Sequence, residues 1–180
     1  KNAPVYWVLD SGAGIPVGSI GIKDPVTQKV NKVSAFKAAV GLLSTSGKYD
    51  DKAYATSRGT HGLGLKLPNA LGVEFQAWTY REGQWYSTEY ARGVVVQEVA
   101  KCKAPKHPQT GKALDRGTLI RFRPDSKIFK SNLTFPGSFV SEWASIAAYF
   151  TPGLRVIVSD DAGKSKEYHY PDGPKQYLEN

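Results

Sequence analysis

The sequence predicts an α+β domain in which helices pack on a β-sheet, and two observations point that way. Apolar residues recur at helical spacing in two places: Val33, Phe36, Val40 and Leu43, with Ala39 and Leu42 beside them, and later Phe139, Trp143, Ile146 and Phe150. Between them lie runs of β-forming residues broken by glycine turns, chiefly Val73 to Tyr80, Gln84 to Tyr90 and Val94 to Val99. No internal repeat or low-complexity tract interrupts the pattern, so one layered domain over residues 1–180 is expected.

Taken in order, Val5 to Leu9 is a short buried strand that runs into the turn Asp10-Ser11-Gly12-Ala13-Gly14-Ile15-Pro16. Gly18 to Lys32 mixes glycine, Pro25 and charge without periodicity and is expected to be a surface loop. The helix follows over Val33 to Thr45. Ser44 to Ser57 is a long polar loop of the kind that covers a site. A glycine-rich turn from Arg58 to Lys66 leads into a short helix, Leu65 to Leu71, where Pro68 is tolerable near the first turn. The hairpin around Arg81-Glu82-Gly83 comes next, then a Pro/Gly/Lys loop from Ala104 to Arg116. Gly117 to Arg123 alternates apolar and basic residues as a half-buried strand ended by Pro124 and Asp125. The second helix stops at Pro152 and Gly153, and Leu154 to Ser159 with Glu167 to Tyr170 forms a closing hairpin.

Composition narrows the function classes. With 41% hydrophobic and 12% aromatic residues the chain carries a real core. No apolar run approaches the roughly 18 residues of a membrane span and no signal-peptide layout opens the chain, so a cytoplasmic protein without a membrane partner is expected. Cys102, the single cysteine, excludes disulfides and structural zinc. The absence of methionine argues against Lys1 as a natural start, and the chain reads as a piece of something longer. The net charge of +8 concentrates between Lys101 and Lys130, where Lys101, Lys103, Lys106, Lys112, Arg116, Arg121, Arg123, Lys127 and Lys130 face only Asp115 and Asp125. Such a stretch suits a polyanion, or it is a solvated loop and strand face.

The turn Arg58-Gly-Thr-His-Gly-Leu-Gly-Leu-Lys66 has the glycines that aim backbone N–H groups at an anion. It is not a Walker loop, because Leu65 stands where lysine is needed. Nor is it the dinucleotide fingerprint, whose third glycine is replaced by Leu67. Asp10, at a strand end beside a glycine turn, either faces a pocket or caps its own turn.

Three separated signals occur in order: Asp10-x-Gly12-x-Gly14, Gly59-x-x-Gly62-x-Gly64 and Gly117-Thr118. Together they resemble the GHKL or Bergerat ATP-binding fold of DNA gyrase, heat-shock protein 90, histidine kinases and MutL. The words Gly14-Ile-Pro-Val-Gly18, Gly47-Lys-Tyr-Asp-Asp51, Thr60-His-Gly-Leu-Gly64, Asn69-Ala-Leu71, Arg81-Glu-Gly83 and Gly117-Thr-Leu-Ile-Arg-Phe122 are similar to the type II DNA topoisomerase B subunits, gyrase B and its topoisomerase IV counterpart. The resemblance covers nearly the whole chain.

It implies a two-layer sandwich, a mixed, mostly antiparallel sheet with helices on one face, that binds ATP with Mg2+. Asp10 would accept the adenine amino hydrogen, helped by a water fixed by Thr118, as a buried carboxylate needs such a bond. Ile15, Pro16, Leu43 and Ile120 would line the base pocket beside Gly12 and Gly14. Gly59, Thr60, His61, Gly62, Leu63, Gly64 and Leu65 would wrap the phosphates, with Lys48 and Tyr54 reaching in from the lid. Lys66 ranks below the glycines, as a solvated helix residue. Arg81 matches an arginine at the pocket mouth that aminocoumarin drugs contact.

The chain departs from the family at Ala13, where arginine is usual, and at Arg58, where glycine is common. The family's glutamate base and magnesium-holding asparagine precede the position of residue 1, so no catalytic residue or metal ligand is assigned here, and this piece alone is expected to bind ATP without efficient turnover. The whole protein would partner DNA, the DNA-cleaving topoisomerase A subunit and a second B subunit in an ATP-dependent dimer. Two other readings stand beside this one: a non-hydrolysing nucleotide- or DNA-binding module using residues 101–130, and another member of the same ATPase fold.

Overall fold

The structure, a computed structural model, describes residues 3–23, 27–41, 64–130 and 133–179. It divides into two units, Lys1–Leu133 and Thr134–Asn180. The first is built on a five-stranded sheet in the order β1 (Tyr6–Asp10), β7 (Thr118–Pro124), β4 (Gly72–Arg81), β5 (Gln84–Ala91), β6 (Val94–Cys102), and every one of these pairings is antiparallel. The expected α+β architecture is borne out.

Local chemistry sets the sheet's register. Glu82 and Gly83 take φ of 52° and 79°, and Arg92 and Gly93 take 52° and 77°, so both β4–β5 and β5–β6 close through two-residue turns with positive φ at each central position. Such turns carry the twist of the strands they join. Because opposed residues share a face, Phe75, Ala77, Tyr90 and Ile120 meet on one side. The helix α1 (Ala35–Gly41) lays Phe36 and Val40, both fully buried, onto that side. Burying each such side chain contributes about 1.5–3 kcal/mol. Asn69, in the short α2 (Lys66–Leu71), donates from Nδ2 to the Val40 carbonyl at 2.7 Å and ties the two helices together.

Two expectations change. Gly18 to Lys32 is not simply loop, because β2 (Ser19–Lys23) and β3 (Val30–Ser34) pair as an antiparallel hairpin. Ile20 and Ile22 alternate with exposed neighbours there, a period-two signal masked by the glycines and charges around it. Val33 therefore lies near the end of β3, which runs to Ser34, and the helix begins at Ala35, whose N–H donates to the Gly18 carbonyl at 2.8 Å. The part of the expected helix beyond Gly41, and the expected lid from Ser44 to Ser57, lie outside the described residues.

In the second unit, α4 (Gly137–Tyr149) packs on the hairpin of β8 (Arg155–Ser159) and β9 (Ser165–His169), and α5 (Pro174–Glu179) follows. Its core uses Ala144, Ala148 and Tyr168, with Val156, Val158 and Tyr170 against them. The aromatic stripe Phe139, Trp143, Ile146 and Phe150 does not enter that core: the small residues of the neighbouring face let the helix approach its hairpin closely.

At the end of the sheet where β7 finishes, the backbone is knotted by polar bonds. Asp125 N–H donates to Leu71 O at 3.0 Å, Arg92 N–H to Gly72 O at 2.7 Å and Gly93 N–H to Asn69 O at 3.0 Å. The Asp125 carboxylate caps α3 (Ser126–Phe129), a short helix not foreseen from the sequence, by accepting from Lys127 N–H at 2.9 Å. It also accepts from Arg92 Nε. The Arg92 bond first and the Lys127 amide second hold this carboxyl below the usual carboxylate range. A depressed folded-state pKa gives stability that is complete above the unfolded value, about 3.9, and is lost as pH falls through the lower folded value. Asp125→Asn is therefore expected to lower Tm at neutral pH, with the gap to the parent closing below about pH 4 in a pH series of thermal melts.

Candidate functional site

One row of the register crosses the whole sheet: Asp10 on β1, Thr118 on β7, Thr79 on β4, Tyr86 on β5 and Lys101 on β6. Opposed residues share a face, so all five side chains leave the sheet on the side that carries α1. The row lies at the end of the sheet where β1 runs into its glycine turn.

Thr79 organises that turn. Its hydroxyl, fully buried, accepts from Ile15 N–H at 2.6 Å and donates to the Ile15 carbonyl at 3.1 Å. Arg81 Nη1 donates to the Ala13 carbonyl at 3.0 Å. Between these anchors Gly14 takes φ of 76°, and a Cβ there would lie 2.1 Å from the Tyr80 carbonyl oxygen. Gly117 meets the same constraint from the other side: its φ is 113°, and a Cβ would fall 1.8 Å from the Asp10 carbonyl oxygen. Only glycine lets the two chains pass this close.

The Asp10 carboxylate is exposed in the chain on its own. It sits at the last position of β1, which among the described residues has a neighbouring strand on one side only. Its Oδ1 accepts from Gly12 N–H at 2.8 Å. That bond is the turn-capping arrangement, and it also fixes the orientation of the other carboxylate oxygen. Ile15 and Ile120 join one apolar cluster, Pro16 is half-buried beside Ile15, and Thr118 is buried. The structure thus brings Asp10, Gly12, Gly14, Ile15, Pro16, Thr118 and Ile120 to one corner, with Arg81 at its edge. An acceptor beside an apolar floor suits a flat group that carries one N–H donor.

Gly64 and Leu65 form the turn before α2, and Leu65 packs on the core cluster. Leu43, Lys48, Tyr54, Arg58, Gly59, Thr60, His61, Gly62 and Leu63 lie outside the described residues. Lys66, expected to be solvated, is buried, and burial pushes its ammonium pKa down. Among the described residues no group of three His, Cys, Asp or Glu side chains converges as a metal site, and no helix is long and apolar enough to cross a membrane. Thr79 was not singled out in the sequence. Its signal was there, a hydroxyl residue in step with Phe75 and Ala77 on the core side of a strand.

Comparison with known proteins gives these positions a context. No family model matches the chain. It is 30% identical over 177 residues to the B subunit of DNA topoisomerase 4 from Rickettsia prowazekii, a match that covers 95% of this chain and 25% of the relative. The B subunit of DNA topoisomerase 4 from Staphylococcus epidermidis is 31% identical over 174 residues, covering 95% of this chain and 24% of the relative. The B subunit of DNA gyrase from Archaeoglobus fulgidus is 31% identical over 167 residues, covering 92% and 24%.

Over nearly its whole length the chain is similar to type II DNA topoisomerase B subunits. It spans about a quarter of the length of the curated relatives it matches. Among solved structures, the 43K ATPase domain of Thermus thermophilus gyrase B in complex with an aminocoumarin superposes with a TM-score of 0.67. It is 24% identical, and the match covers 97% of this chain and 40% of that one, a likeness of fold. The family resemblance read from the glycine motifs is borne out.

Thr79→Val, which keeps side-chain shape and removes both bonds to Ile15, is expected to cost about 1–3 kcal/mol in urea unfolding, because Ile15 N–H is left unpaired. Thr79→Ser should recover most of that loss.

Proposed function

We propose that this chain is the nucleotide-binding part of a type II topoisomerase B subunit, in which ATP binding and hydrolysis by the whole protein drive passage of one DNA segment through another. The observation that carries the reading is the corner where Asp10, Thr118 and Thr79 stand side by side in the register, next to a glycine turn held by Thr79 and Arg81. With Oδ1 engaged by Gly12 N–H, the second oxygen of Asp10 is oriented to accept the adenine amino hydrogen. The Thr118 hydroxyl lies next to it in the register and would hold a water between protein and base. Ile15, Pro16 and Ile120 offer the apolar floor on which the ring lies, and Leu43 would complete it.

In this reading the phosphates are taken by the turn from Gly59 to Leu65, with His61 facing them and Lys48 and Tyr54 closing over them. Magnesium would accompany the phosphates and neutralise their charge. Among the described residues no group of His, Cys, Asp or Glu side chains forms a cage for the metal. Arg81, at the edge of the corner, is the proposed contact for an aminocoumarin, the class of compound bound to the Thermus gyrase B domain. DNA, the topoisomerase A subunit and a second B subunit are the proposed partners of the whole protein.

Isothermal titration with a non-hydrolysable ATP analogue and magnesium tests the reading. The parent chain should bind saturably, and Asp10→Asn, which replaces the charged acceptor, should weaken binding about tenfold or more while leaving the far-UV spectrum unchanged. Equal affinity in the two proteins would remove Asp10 from the site.

A further inference from the structure

The nine basic residues between Lys101 and Lys130 do not form one surface. Arg121 and Arg123 both engage Glu74 on the sheet face opposite α1, and Arg121 also lies over the Trp7 ring at 5.5 Å. Lys127 and Lys130 sit beyond Pro124, at the far end of β7. Of the remaining five, Lys101 stands near the end of β6, Lys103, Lys106, Lys112 and Arg116 lie on the connection from β6 to β7, and all five are exposed.

That connection is ordered by its own bonds. Lys106 and Ala113 form a bridge pair, His107 N–H donates to Lys112 O at 2.8 Å, Gly111 N–H to His107 O at 2.9 Å and Leu114 N–H to Pro105 O at 2.9 Å. His107 Nδ1 accepts from the amides of Gln109 and Thr110 at 3.2 and 3.3 Å and fills the tip of the loop. At the base, Gln84 Nε2 donates to the Cys102 carbonyl at 2.8 Å. The result is a braced hairpin of residues 103–116 that carries cations on a framework already fixed. None of the five cations takes part in the ion pairs found among the described residues, and Asp115 is the single acid on the segment.

The geometry points to a phosphate-backbone contact: the 103–116 hairpin, with Lys101 at its base, binds the backbone of duplex DNA. Cations held on a braced loop lose little freedom on binding, and each phosphate they neutralise releases condensed counterions. Four of the five are lysines, point charges on flexible stems, so the contact positions the duplex without reading its sequence. Lys101 closes the register row that begins at Asp10, so the hairpin leaves the sheet at the same end as the nucleotide corner. The inference rests on the DNA-handling half of the proposed function and not on its nucleotide half.

Fluorescence anisotropy with a short labelled duplex, followed between about 50 and 200 mM salt, tests it on three forms of the chain: the parent, Lys103→Gln/Lys106→Gln/Lys112→Gln, and Lys23→Gln/Lys29→Gln/Lys32→Gln as an equal charge change on the β2–β3 hairpin. The hairpin variant should lose at least about tenfold in affinity at the lowest salt and flatten the log–log salt slope by about 3, with the control close to the parent. An equal loss in both variants would reduce the effect to net charge and overturn the proposal. So would failure of the parent to bind duplex, or a hairpin variant that loses nucleotide affinity in place of DNA affinity. Nucleotide titration of the same samples separates the two ideas. A parent that binds nucleotide but not DNA overturns this inference alone, and one that binds DNA in the hairpin-dependent way but not nucleotide overturns the nucleotide corner alone.

Discussion

A single buried hydroxyl, Thr79 Oγ1, decides where the chain goes after its first strand. Leaving the sheet at Asp10, the backbone has unpaired amides and carbonyls and no partner strand on one side, and water would ordinarily satisfy them. Thr79 instead gives and receives one bond at Ile15, which draws the turn down onto the sheet and brings Ile15 into the core with Phe36, Ala77 and Ile120. The glycines follow from that constraint. Gly14 and Gly117 stand where the turn and the β1–β7 crossing come closer than a Cβ permits. The corner that presents Asp10 is thus a consequence of packing.

The two ends of the sheet are built for different tasks. Where β7 finishes, hydrogen bonds and an ion pair join Asp125 and Arg92 to the backbones of Asn69, Leu71 and Gly72. Where β7 starts, Gly14 and Gly117 take positive φ, and Thr79 and Arg81 hold the glycine turn while the Asp10 carboxylate stays exposed. A nucleotide site needs a rigid back and an accessible front, and a sheet tied at one end supplies both. The braced hairpin rises from that end, so any duplex it holds lies near the proposed nucleotide corner.

Much of this was legible in the sequence, because the signals were local. The turns at Glu82-Gly83 and Arg92-Gly93 and the alternation of Phe75, Ala77 and Thr79 follow from short-range rules. The glycines at 12, 14 and 117 could be read as close approaches from their spacing beside Asp10 and Thr118. What escaped reading was set by partners distant in the chain. The exposure of Asp10 depends on β1 lying at the sheet edge, a fact of strand order. The role of Thr79 depends on a loop 64 residues away. In the second unit, the helix whose large residues suggested the buried face packs instead through Ala144 and Ala148, because the hairpin it meets demands closeness over bulk.

The central claim is that the Asp10, Thr79 and Thr118 corner receives an adenine base, and amide chemical shifts of labelled protein titrated with ATP analogue test it most directly. The account requires the amides of Gly12, Ile15, Thr79 and Thr118 to shift together along one saturation curve, while the opposite face at Trp7, Gln76 and Arg121 stays still. Shifts centred on that opposite face, or a corner that does not respond at saturating nucleotide, would contradict it.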